Sequence, residues 1–324
     1  MTGLHSLPRV ELATTPTPLR PAPRLSAAAG VEVWLKRDDL TGLGLGGNKV
    51  RALEFLIGDA LDQGCDCLVT GAGAQSNWAM LAALAARRSG LDAHLLFYGD
   101  AAPSATGNRM LAELAGAEIS FTGDPERTSV DAAIDKTAAV LRAAGRRPYV
   151  LPRGGATARG ALGYVAASLE LAWQLAAVRL APTQLWLATG SCGTQAGLVA
   201  GARWLALPYD VVGVSVSRPA DECVARVEEL ARGAAELVGV VAAADETSDV
   251  LVRGGHLGPG YGQRSVEGDA AAALVARTEG VFLDPVFAAK AMAALLGDPP
   301  AGPVVFLVTG GAPTLFSVPR AAAM

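Results

Sequence analysis

Apolar positions along this chain alternate between two spacings. Short, dense runs read as buried strands: 31–35 (VEVWL), 67–70, 93–98, 118–121, 149–151, 185–188, 211–217, 281–283 and 304–308. Between them, apolar residues fall three and four apart. Residues 49–63 place Val50, Leu53, Leu56, Ile57 and Leu61 on one face, and Gly64 ends the run. The same spacing predicts helices over 76–88, 107–115, 129–144, 161–178, from the 189–197 turn to about Leu205, over 221–244 and 270–278, and from Pro285 onward. Strands that alternate with helices predict a parallel α/β architecture. No repeat or low-complexity linker divides the chain.

In open α/β sheets the chemistry gathers at the carboxyl ends of strands. Four such ends carry glycine turns: GAGAQSN (71–77), GGA (154–156), TGSCGT (189–194) and TGGAP (309–313). Each offers bare backbone N–H groups. The 189–194 turn lies between a strand and a helix start, an arrangement that holds phosphate through N–H groups and the helix dipole. A fifth glycine stretch, LGLGGNKVR (43–51), sets Lys49 directly at the start of a helix. Glycines allow close backbone approach to a ligand, and a lysine held there can lose its proton and condense with a carbonyl cofactor. Two other phosphate readings fail. Gly42, Gly44 and Gly47 fit a dinucleotide spacing, but the acid Asp66 precedes the next strand instead of ending it. Around Lys49, Asn48 and Val50 replace the glycine and hydroxyl residue of a P-loop.

Composition narrows the field. With 324 residues, 51 % hydrophobic and 18 % charged, the chain can bury a substantial core. A net charge of −4 without a basic run argues against nucleic acid. No uninterrupted apolar stretch of about 20 residues suggests a membrane span. The first residues lack a signal-peptide core, so a cytoplasmic protein is expected. Cys65, Cys67, Cys192 and Cys223 form no disulfide framework, and His5, His94 and His256 are scattered; a metal site is not expected.

An amine at Lys49, a phosphate cup at 190–194 and a hydroxyl at Thr309 together suit pyridoxal phosphate (PLP), which needs an aldehyde partner, phosphate donors and a ring-nitrogen partner. The chain resembles the fold-type II PLP enzymes of the D-cysteine desulfhydrase / 1-aminocyclopropane-1-carboxylate (ACC) deaminase family. The resemblance rests on WLKRDDLTGLGLGGNKVRALEFL (34–56), GAGAQSN, GNRMLAELAGAEI (107–119), GGATARGALGYV (154–165), ATGSCGTQAGL (188–198), GYG (260–262), LDPVFAAKAM (283–292) and VTGGAP (308–313), nearly the whole chain. It implies a homodimer of two-lobed subunits, with residues 1–49 and 163–324 in a large PLP-binding domain and 50–162 in a small one.

By that resemblance, Lys49 holds the cofactor aldehyde and serves as the Cα base. Asn77 meets the ring's phenolic oxygen, and Gly190, Ser191, Cys192, Gly193 and Thr194 hold the phosphate. Thr309 meets the pyridine nitrogen. Gln75, Ser76, Trp78, Tyr261 and Phe287 would line the substrate pocket, with Ser76 and Tyr261 catalytic. The implied reaction is β-elimination from cysteine or an S-substituted cysteine. Other PLP reactions, or PLP binding without turnover, stand as alternatives.

Several positions depart from the family pattern. Trp78 stands where histidine is common, Phe287 and Ala288 replace a tyrosine and an acid, Arg264 replaces proline, and Cys192 replaces glycine. Loss of the phenol and acid removes proton donors from the ACC reaction. Trp78, Phe287 and Arg264 read equally well as packing or surface residues. Arg153 and Arg159 flank GGA and suit either a substrate carboxylate or solvent, while Tyr164 reads as core.

Overall fold

The two spacings sort into elements much as read. A computed structural model describes residues 3–239 and 250–317. The first elements are β1 (Leu19–Pro21), α1 (Pro23–Ala29), β2 (Val33–Arg37) and α2 (Lys49–Asp62). A second group follows: β3 (Cys67–Ala72), α3 (Asn77–Arg88), β4 (Asp92–Phe97), α4 (Gly107–Leu114), β5 (Glu118–Phe121), α5 (Ser129–Ala143) and β6 (Pro148–Val150). Then come α6 (Ala158–Val178), β7 (Gln184–Thr189), α7 (Gly193–Trp204), β8 (Asp210–Ser215), α8 (Ala220–Leu237), β9 (Leu251–Arg253), α9 (Val266–Glu279), α10 (Ala288–Gly297) and β10 (Val304–Val308).

The strands make two sheets. One runs β1-β2-β10-β7-β8-β9, parallel except for the antiparallel β1–β2 pair; the other runs β5-β4-β3-β6, all parallel. Parallel sheets need both faces covered. In the larger sheet, Leu185, Leu187 and Leu307 pack with α6, α7 and α8. Trp186, Val212, Val214 and Phe306 face the other way, toward α1, α9 and α10. The smaller sheet packs Leu68, Leu95 and Phe97 with α2 and α3, and Val69 and Leu96 with α5.

Several segments differ from the pattern reading. Residues 281–283 form no strand: Val281 and Leu283 are buried and Phe282 is exposed, so alternation here reports burial without a hydrogen-bonded neighbour. The predicted 221–244 helix ends at Leu237, and its end past 239 lies outside the described residues. β1, α1 and β9 carry too few residues to show a period. Helix α6 is long and apolar enough to cross a membrane by length and composition, although Arg159, Glu170 and Gln174 interrupt its apolar run. It instead buries Leu162, Val165, Leu171 and Leu175 in the core.

The KRDDL segment acquires a physical role in this packing. Lys36 of β2 pairs with Glu170 of α6, and Arg51 of α2 pairs with both Asp38 (2.8 Å) and Glu170 (2.9 Å). Asp38 also accepts from the hydroxyls of Thr17 and Tyr164, both at 2.6 Å. Burial pushes the Asp38 carboxyl up, yet Arg51 and the two hydroxyls more than offset it and hold it below the usual range. Tyr164 is thus a core residue, as its sequence context indicated. The network fixes α2 on α6 two residues after Lys49.

Candidate active site

The glycines before Lys49 are spent on the protein's own backbone. A Cβ at Gly46 would sit 2.1 Å from the Asp39 carbonyl oxygen, and one at Gly310 would sit 2.6 Å from the Gly47 Cα. This corrects the reading of these glycines as room for a ligand: they let the 43–48 turn lie against the TGGAP turn. Asn48 N–H donates to the Thr309 carbonyl at 2.9 Å, and its side-chain Nδ2 donates to Thr194 Oγ1 at 2.9 Å. Two distant glycine turns therefore fix the residue before Lys49 on either side.

Lys49 points into a cavity with about 910 Å³ free of atoms, a space that includes open solvent. Its Nζ donates to Ser191 Oγ at 3.1 Å and has no carboxylate partner among the described residues. Burial lowers the amine to about 8. A buried amine at that value exists partly as the free base near neutral pH, as nucleophilic and basic lysines require.

A smaller space of about 280 Å³ adjoins the first and is lined by Lys49, Trp78, Gly155, Ser191, Gly193 and Thr194. Here α7 begins without a side-chain cap, leaving its first-turn N–H groups open to an anion. Cys192, at φ 73°, holds the left-handed turn that starts α7, a conformation glycine adopts more readily. Its side chain is buried and turned toward the Gly190 carbonyl, 3.8 Å away. A buried amine without a carboxylate partner beside an uncapped helix start fits an aldehyde-bearing phosphate ester.

Across the cavity, α3 begins at Ser76, whose Oγ accepts from Ala79 N–H at 3.3 Å, so the hydroxyl proton stays free to donate. Asn77 lines the cavity with its amide orientation fixed, because Asn108 Nδ2 donates to Asn77 Oδ1 at 2.7 Å and to the Gln75 carbonyl at 2.9 Å. The Asn77 NH₂ is thereby left to donate. Gln75 corrects a pocket expectation: it is outside the cavity lining, and its amide bonds Thr106 O and Asn108 N–H instead.

Trp78 is 3 % exposed, donates from Nε1 to Thr70 Oγ1 at 3.0 Å, and borders both spaces. Tyr261 and Phe287 face each other edge-on at 6.3 Å between centroids and line the cavity, as does Thr309. Burial pushes the Tyr261 phenol up, so it stays protonated near neutral pH. Arg264 instead pairs with Asp269 at 2.8 Å. Of the two arginines near GGA, Arg153 lines the cavity and Arg159 pairs with Asp59 at 3.1 Å, away from it.

Several cavity residues carried no sequence signal. Tyr98, Ser217 and Arg218 follow the carboxyl ends of β4 and β8, so the strand-end rule would have found them had it been applied to ends without glycine. Arg127 comes from the loop before α5, and Asn108 of α4 sits behind Asn77 rather than in the lining; only packing brings them here.

The chain matches the family described as "Pyridoxal-phosphate dependent enzyme" over residues 10–310. It belongs to that family. Its cofactor is therefore PLP. Among curated relatives, the D-cysteine desulfhydrase of Salmonella choleraesuis (strain SC-B67) is 40 % identical over 97 % of this chain and 98 % of its own length. That of Klebsiella pneumoniae (strain 342) is 39 % identical over 97 % of each chain. Among solved structures, one titled as an ACC deaminase homologue aligns with a TM-score of 0.89 at 36 % identity, covering 97 % of this chain and 95 % of that one. The processed threonine deaminase isoform 2 of Solanum lycopersicum aligns with a TM-score of 0.65 at 17 % identity, covering 96 % of this chain and 81 % of that one. It shares the fold: this is a fold-type II PLP enzyme.

Proposed function

We propose that this PLP enzyme is a carbon–sulfur lyase that eliminates the β-substituent of cysteine or an S-substituted cysteine, releasing pyruvate, ammonia and a thiol or sulfide. The observation that carries the reading is the buried Lys49 amine facing a cavity in a chain 40 % identical to D-cysteine desulfhydrases over nearly full length. When bound, PLP supplies an electron sink next to the substrate Cα. Lys49 removes the Cα proton, its lowered basicity matching the task. The α3 start and the Ser76 hydroxyl hold the α-carboxylate, while Asn77 keeps the ring aligned through its NH₂. The 190–194 N–H groups hold the phosphate. Thr309 would offer the ring nitrogen a neutral hydroxyl partner. Tyr261 is the proton donor on the substrate side, and Trp78 and Phe287 shape the pocket.

ACC deamination is disfavoured, because Phe287 brings a ring without a hydroxyl and Ala288 brings no acid. Residues 50–162 form the smaller lobe and 1–49 with 163–324 the larger. A cytoplasmic homodimer is the assembly that the resemblance supports. The test is direct: purified protein is mixed with D- and L-cysteine and S-substituted cysteines, and pyruvate and sulfide are assayed. Lysine-imine absorbance without product from any of them would sink the lyase reading, and Lys49→Ala that kept both absorbance and turnover would sink the site assignment.

A further inference from the structure

Two anions of a PLP–amino acid pair already have places in this cavity: the phosphate at the uncapped α7 and the α-carboxylate at α3, as argued above. Three guanidinium groups remain. Arg127, Arg153 and Arg218 line the large space, and none of them lines the smaller phosphate space. No aspartate or glutamate lines either space among the described residues.

Arg153 has an outside partner, Asp131, at 3.1 Å. Arg127 and Arg218 have no ion pair among the described residues, and the Nε of each is buried without a hydrogen-bond partner. Arg127 lies over the Tyr261 ring, its guanidinium carbon 3.9 Å from the centroid. It also donates weakly to the Ser217 carbonyl at 3.4 Å, which brings it beside Arg218. The fields of all three arginines reach the Tyr261 phenol, so the charges converge on one end of the cavity. Buried guanidinium N–H groups without acceptors are costly, and a ligand oxyanion would satisfy them with charge-assisted bonds.

We propose that this end of the cavity recognises an amino acid whose side chain ends in an oxyanion, a sulfonate or a carboxylate, held by Arg127 and Arg218. The proposal rests on the lyase reading and narrows its substrate class. The balanced reaction breaks Cα–H and Cβ–S. Lys49 takes the proton and sulfur leaves with the bonding pair, as sulfite from a sulfonate or as the thiolate of a mercapto acid. Water then hydrolyses the released enamine to pyruvate and ammonia, with no outside oxidant or reductant.

Two measurements on the holoenzyme decide it. In the first, kcat/KM is measured for cysteate and S-carboxymethylcysteine against cysteine and S-methylcysteine, both hands of each. The expected result is at least a tenfold preference for the anionic members. Arg127→Gln and Arg218→Gln should each cut that preference about tenfold, mainly through KM, with partial recovery in Arg218→Lys. The second needs no turnover or variant: aspartate and its neutral isostere asparagine are titrated into wild-type protein and the shift in the cofactor absorbance band is followed. Aspartate should bind at least tenfold tighter than asparagine of the same hand. Equal binding, or variants that lower anionic and neutral substrates by one common factor, overturns the proposal. Tight aspartate binding without pyruvate from any amino acid keeps the anion site and fails the lyase reading alone.

Discussion

Replacing Asp38 by asparagine removes one charge and almost no volume from the network that fixes α2. Oδ1 accepts from Thr17 Oγ1 at 2.6 Å and Arg51 Nη2 at 2.9 Å, while Oδ2 accepts from Arg51 Nε at 2.8 Å and Tyr164 Oη at 2.6 Å. Whichever way the asparagine amide turns, its NH₂ meets one guanidinium N–H and one hydroxyl. The hydroxyl can rotate and accept, but the guanidinium cannot. One charge-assisted bond of about 1.5–3 kcal/mol is lost, and Arg51 keeps only Glu170 as a counter-charge. Breaking a fully buried pair costs about 3–5 kcal/mol. At roughly 2.1 cal/mol/K of unfolding entropy per residue, a chain of 324 residues loses about 1.5 °C of Tm per kcal/mol, so the drop is about 4–8 °C.

The assay is calorimetry of the apoprotein against pH. The folded Asp38 carboxyl lies below its unfolded value, so its stabilisation is fully present above the ordinary carboxylate range and is lost as pH falls through the lower folded value. The gap between wild type and Asp38→Asn should be widest near pH 7 and close in acid. A gap under about 2 °C at pH 7, or one that persists unchanged into strong acid, would refute the account of the network.

Two further outcomes follow from the site. Gly155 has φ 68°, and a Cβ there would lie 2.1 Å from Trp78 Cζ2, so Gly155→Ala must displace a ring that borders both ligand spaces. It should lose about 2–4 kcal/mol and weaken PLP retention, as read by thermal unfolding and cofactor absorbance; normal retention would show that Trp78 has room to move. In apoprotein, the Lys49 amine becomes the nucleophilic free base as pH rises through about 8. The rate at which added PLP forms its imine band should climb with pH and level off above that value; a climb continuing past about pH 9.5 would contradict burial as the cause.

Much of the architecture was legible because period and punctuation are local. The 49–63 spacing and Gly64 define α2 to within a residue, and the strand before each glycine turn appears at its expected place. Lys49 stands out in the sequence because a PLP site needs a lysine, a phosphate cup and a hydroxyl, and each of these is a short contiguous signal. Gln75 misled because it adjoins Ser76 and Asn77 in sequence, yet a turn at a helix start sends neighbouring side chains in different directions.

The sequence by itself determined the strand–helix order, the lysine and the glycine turns, since each depends on residues within a few positions of one another. Only the tertiary structure decided which surfaces meet. It turned the glycines before Lys49 toward the TGGAP backbone, set Asn108 behind Asn77, and placed Asp38 of KRDDL against Arg51. It also gathered Arg127 and Arg218, 91 positions apart, at one end of one cavity. Their charge is written in the sequence, but its convergence is a property of packing, because no local spacing records which loops close over the same space.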